Sequence, residues 1–128
     1  MSASFDPGAL LGNSYMLEGG LRVRLRLTRS SDAGSIRTLL ERQGLDPEDL
    51  QAARLVHFDP RTRYVLCATA LIDSRETLVG VAAIELDPGG SDQPDTVIVD
   101  DGHSAELGEL LTSALVGRAS TVARSRAA

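Results

Sequence analysis

Apolar and polar residues alternate strictly over Leu21-Arg22-Val23-Arg24-Leu25-Arg26-Leu27, which puts Leu, Val, Leu and Leu on one side and three arginines on the other. A period of two predicts a half-buried strand. The arginine side reads as a solvated strand face, or else as an anion-binding row or a charged edge that blocks aggregation. The period then changes. Thr28 to Asp32 offers several N-cap residues, Ile36, Leu39 and Leu40 keep helical spacing to about Gln43, and Gly44 is a plausible stop. Asp46-Pro47-Glu48-Asp49 predicts a second helix running toward Leu55, with Asp as cap, Pro at the first position and acids in the first turn.

His57 to Arg61 reads as a loop, followed by strands over Tyr64–Ile72 and Thr77–Leu86 joined by a short hairpin at Asp73-Ser74-Arg75-Glu76. Gly80 within the second of these strands predicts a bulge or a close backbone approach. After a polar loop at 87–95, Thr96-Val97-Ile98-Val99 reads as a short buried strand and Asp100-Asp101-Gly102-His103 as a tight turn. A long amphipathic helix is predicted from about Ser104 to residue 123, with Leu107, Leu110, Leu111, Ala114, Leu115 and Val122 as its apolar stripe. Residues 1–20 show no sustained period and read as a flexible or docking arm, 21–124 as one domain, and 125–128 as a disordered tail. Phe5, Leu10, Leu11, Tyr15, Met16 and Leu17 make the arm apolar enough to dock on the domain or on a partner.

Composition narrows the function classes. The chain has 128 residues, 42% of them apolar, which is one domain with a real core. Its net charge of −5 and its four aromatic residues disfavour nucleic-acid binding by phosphate neutralisation or base stacking. There is no lysine, which removes Schiff-base and lysine–phosphate chemistry. The single cysteine, Cys67, lies in an apolar strand-like run and reads as a buried, inert thiol. No apolar run is long enough for a membrane span and no signal-peptide pattern opens the chain, so a cytoplasmic protein is expected.

Three segments together resemble the GCN5-related N-acetyltransferase (GNAT) family. Arg24 to Ala33 looks like its first strand, polar turn and Asp-Ala helix start. Leu78 to Leu86 looks like its third strand with a Leu-Val-Gly opening. Val97 to Val99 through Gly108-Glu109-Leu110-Leu111 looks like its fourth strand, pyrophosphate loop and third helix. The resemblance covers residues 21 to about 120. It implies an α/β (α+β) fold: a mixed, mostly antiparallel sheet of about four strands with helices packed on it. It also implies that acetyl-CoA or coenzyme A (CoA) is the possible cofactor, with Val97, Val99, His103, Ser104 and Gly108 at its binding positions. Glu85, an acid at the end of the third strand, is the candidate catalytic base.

The match has two departures. The family's loop runs Arg/Gln-x-x-Gly-x-Gly/Ala, whereas His103-Ser104-Ala105-Glu106-Leu107-Gly108 keeps only the last glycine. Glu106 adds a negative charge where a pyrophosphate would lie. At about 4 Å and an effective dielectric of about 20, one such contact costs on the order of 4 kcal/mol. A glutamate in the first turn also simply stabilises a helix. The family further continues with a fifth strand, a fourth helix that often carries a tyrosine acid, and a final strand pair. Without them the acyl-CoA gap has one wall, and a partner chain supplying the other predicts a homodimer or another covering protein.

The remaining chemistry has simpler readings. His57 and His103 have no third ligand at zinc spacing, and Ser104 beside His103 is explained as a helix cap. Asp95, Asp100 and Asp101 could hold a divalent cation, but turn chemistry accounts for them. No metal site is therefore expected. The acidic loop and short sheet favour a non-catalytic GNAT-like module for dimerisation, regulation or binding. The alternative is an acyl-CoA-dependent N-acetyltransferase completed by a partner subunit.

Overall fold

In the computed structural model the described residues are 14–48, 52–86, 93–100 and 104–127, with side chains described over 105–119 of the last segment. Five strands are present: β1 (Ser14–Met16), β2 (Arg22–Leu27), β3 (Arg63–Ile72), β4 (Arg75–Glu85) and β5 (Thr96–Val99). Two α-helices join them, α1 (Ala33–Arg42) and α2 (Ser104–Ala127), along with 3-10 turns at Ser30–Asp32 and Ala52–Leu55. The strands form one sheet in the order β1-β2-β3-β4-β5, every pair antiparallel. Antiparallel neighbours need only short connections, which this chain supplies at its two tight turns.

Each local element follows from its residues. Asp73 and Ser74 both take positive φ, 51° and 67°, the two-residue turn whose twist suits a hairpin. The α1 helix ends on Gly44 at φ 74°, where Leu45 N–H reaches the Leu40 carbonyl at 2.9 Å and Gly44 N–H that of Glu41 at 3.0 Å. That is a Schellman stop, and it satisfies the carbonyls a helix end leaves open. Asp32 acts differently from a simple cap. Its carboxylate accepts from Arg29 N–H at 2.7 Å and takes a two-pronged bond from Arg26 at 2.8 and 2.9 Å.

The sheet separates two apolar layers. On one side α2 lays Leu107, Leu111, Ala114 and Leu115 over Val23, Leu25, Leu66, Ala68, Val79, Ala82 and Ile84. On the other, Ile36, Leu39 and Leu40 of α1 and Leu55 cover Val65, Cys67, Leu78, Val81, Ala83 and Ile98. Gly80 meets both expectations placed on it. The register slips there, with Ala68 opposite Gly80 and Thr69 opposite Leu78, leaving Val79 as the bulged residue. A Cβ on Gly80 would also lie 3.0 Å from Leu111 Cδ1 and 3.2 Å from Val99 Cγ1, so the missing side chain lets α2 sit close on the sheet.

The structure departs from the sequence reading in the sheet, in the 46–55 segment and at the end of α2. The sheet has five strands instead of about four, because Ser14–Met16 pairs with Arg22–Arg24 instead of belonging to an arm, and it is wholly antiparallel instead of mixed. Residues 1–13 lie outside the described residues. The helix expected over 46–55 is a turn at 47–48 and a 3-10 turn at Ala52–Leu55, with 49–51 outside the described residues. Buried Thr28 Oγ1 donates to the Leu55 carbonyl at 2.6 Å, so a tertiary contact claims a carbonyl at the end of this segment. Finally, α2 runs to Ala127, through residues expected to form a disordered tail. No helix among the described residues is long and apolar enough to cross a membrane.

Candidate functional site

The resemblance points to the edge of the sheet at β5. This strand pairs with β4 alone, and among the described residues no strand pairs with its far side. Asp100 N–H donates to the Val79 carbonyl at 2.8 Å, which sets the phase of the ladder. In an antiparallel pair the main-chain groups alternate. Thr96 and Ile98 therefore face β4, while the N–H and C=O of Val97 and Val99 face the open edge. The side chains divide the other way: Ile98 is buried on the α1 side, Val99 packs on the α2 side, and Val97 is 42% exposed.

Against this edge lies an open groove whose walls are Val97, Ala105, Gly108, Glu109, Thr112 and Ser113. A Cβ on Gly108 would lie 3.8 Å from Val97 Cγ1, an ordinary contact, so the glycine adds only a little room to the groove. Of the five cofactor positions that the resemblance implies, Val97 and Gly108 meet in this groove, while Val99 lies two residues along β5, outside its lining and packed toward Gly80. Ser104 begins α2 with its side chain outside the description, and His103 lies outside the described residues.

Glu106 has a partner that sequence spacing gave no signal for. Its carboxylate accepts from Glu18 N–H at 2.7 Å, across 88 positions of sequence, and so ties α2 to the β1–β2 turn. A carboxylate engaged in that direction weakens the repulsion argument against an anion at the start of α2.

Glu85 sits at the end of β4, directly opposite Arg63 on β3. Arg63 Nη1 donates to Glu85 Oε1 at 2.5 Å and to Asp95 at 2.7 Å, and Arg54 lies 3.6 Å from the same Glu85 oxygen. The Arg63 side chain is only 10% exposed, whereas Glu85 and Asp95 reach solvent. Burial works against ionisation of Asp95, but hydrogen bonds from Arg63 and Thr96 outweigh it and hold its carboxyl below the usual range. The result is an ionic clamp joining β3, β4 and the start of β5.

The other chemistry-bearing residues are dispersed. Asp100 is ion-paired with Arg42 and Asp95 with Arg63, so the described members of the Asp95–Asp100–Asp101 trio each have an arginine partner, and Asp101 lies outside the description. No group of three metal-binding side chains occurs among the described residues. His57 is exposed in its loop. Cys67 is fully buried and its thiol is pushed up to about 12 by that burial, which removes it as a nucleophile.

Neither a family profile nor a curated protein matches the chain. Among solved structures, the GNAT domain of S. lividans PAT matches it with a TM-score of 0.56 at 20% identity, over 84% of this chain and 73% of that one. The likeness joins the antiparallel sheet, the helix on each face and the β5–α2 edge into one conclusion: this chain has a GNAT-like fold.

Proposed function

We propose that this GNAT-like domain is a non-catalytic binding or assembly module, whose β5 edge is covered by a second strand from a homodimer mate or another protein. The observation that carries this reading is the engagement of Glu85. A general base needs a carboxylate free to take a proton from the attacking amine. Glu85 is instead held by Arg63 at 2.5 Å, with Arg54 at 3.6 Å, in a clamp that serves the sheet. The outward N–H and C=O groups of Val97 and Val99 supply what an added strand requires.

A second reading rests on the groove. The same main-chain groups, with the groove beside them, fit the extended thiol arm of CoA, and an acyl-CoA would bring the activated acyl group. The chain's own contribution would be to orient that arm along β5 and polarise the thioester carbonyl with a main-chain N–H. In this reading a partner subunit completes the site.

Calorimetric titration with acetyl-CoA and with CoA, alongside light scattering in the same buffer, separates the two. The module reading expects a dimer or larger assembly and no binding up to millimolar CoA. Micromolar binding of acetyl-CoA would overturn it in favour of the acyltransferase.

A further inference from the structure

The sheet is covered unequally on its α1 side. Helix α1 packs on β4, and the apolar layer beneath it ends at β3. Cross-strand pairing places Ser14, Arg24 and Thr69 in one row on this side and, one step beyond the Val23–Ala70 pair, Met16 beside Arg22 and Leu71 beside Glu76 in the next. Met16 is 56% exposed and Leu71 is 73% exposed, and Arg22 and Arg24 also reach solvent.

The three arginines of β2 have separate fates. Arg26 is engaged by Asp32 and by Glu76, the latter at 3.1 Å. Arg22 and Arg24 have no ion pair among the described residues. They stand two residues apart on one face, about 7 Å by strand rise. In a chain of net charge −5, this is a local concentration of unneutralised positive charge. Glu76, the one carboxylate among the described residues that line this face, already accepts from Arg26.

We infer that this face is a binding site for a small organic dianion, a dicarboxylate or a phosphate monoester, held by Arg22 and Arg24 with its carbon skeleton against Leu71. Guanidinium groups recognise both kinds of oxyanion through the same forked hydrogen bonds. Size decides between a small ligand and a protein. On this face Arg22, Arg24, Thr69, Leu71 and Glu76 line a half-open groove of about 420 Å³, within the range of small-molecule pockets. Three strands by two side-chain rows offer on the order of 100–200 Å², far below the roughly 800 Å² per partner of a stable protein interface. The site lies on the α1 side, whereas the β5 groove is lined by α2, so the two proposals stand or fall separately.

The test is a titration of the isotope-labelled full chain with glutarate and, separately, with glycerol phosphate, followed by amide NMR shifts. Saturable shifts confined to residues 14–24 and 69–76 are expected, with at least tenfold weaker binding in Arg22→Gln and in Arg24→Gln and no change in Arg37→Gln. Preference for one probe identifies the source of the oxyanion. Thermal unfolding of each variant verifies that both surface substitutions leave the fold intact. The inference is overturned by no saturable shift at tens of millimolar of either probe. Equal affinity in the double variant Arg22→Gln/Arg24→Gln overturns it too, as does a polyglutamate peptide binding where neither small anion does.

Discussion

Arginine is used in opposite ways at two places in this sheet. At the β3–β5 end, Arg63 is buried and its charge is answered by Glu85 and Asp95. On the bare β1–β2 face, Arg22 and Arg24 project into solvent without an ion-pair partner among the described residues. The side-chain chemistry is the same, so the environment sets the role. A buried guanidinium must be paired, because an isolated ion in a poorly polarisable interior is too costly to keep. An exposed one is hydrated and remains available to a ligand. The first clamps strands together and contributes little to recognition; the second contributes little to stability.

Substitutions can break this contrast, and the largest effect belongs to the shared core beneath it. Leu111→Ala empties a fully buried position under Gly80 and should cost about 3 kcal/mol, read from the urea midpoint. Arg63→Met keeps the bulk but leaves two carboxylates facing each other. Because those carboxylates are partly solvated, the expected loss is about 2 kcal/mol, less than for a fully buried pair.

The same variant carries a pH signature. Asp95 has a depressed carboxyl in the folded state, so its contribution is present above its unfolded value of about 4 and is lost as pH falls through the lower folded value. The stability gap between wild type and Arg63→Met should therefore narrow as pH drops below about 4. A gap that stays constant through that range would show that the clamp is not ionic.

Gly80→Ala places a methyl 3.0 Å from the flexible end of Leu111 and should cost about 1 kcal/mol, at the low end for overpacking. At the other extreme, Arg22→Gln and Leu71→Ser should change stability by less than about 0.5 kcal/mol, since both side chains are exposed. A loss above that limit would mean that the bare face is covered. Cys67 offers a labelling check on the covered half: in the native protein its thiol should react with a maleimide only as fast as the sheet opens.

Much of this arrangement was legible in the chain because it depends on short-range rules. The alternation at 21–27, the turn signal at 73–76, Gly44 after an amphipathic run and the stripe of α2 each carry a local signature, and each element formed near it, the hairpin turn being tighter than expected because Arg75 and Glu76 already pair as part of β4. Gly80 was marked as a bulge or a close approach, and both are present. At the candidate edge, Val97, Val99 and Gly108 were marked through a family resemblance, which the solved-structure comparison supports at the level of fold.

Interactions between distant segments were not legible. Nothing in Ser14-Tyr15-Met16 announces a strand, since three residues show no period; it is a strand because β2 offers it an edge. The 46–55 segment carried good helix signals, yet its end is a 3-10 turn bonded to Thr28. Glu85 and Asp95 read as a strand end and a loop acid until Arg63 is placed between them. By itself the sequence determined the four longer strands, both α-helices and the apolar face of each, because periodicity and turn chemistry act over a few residues. Only the tertiary structure decided which charges are answered and which stay open, because ion pairing depends on distances that no local spacing encodes.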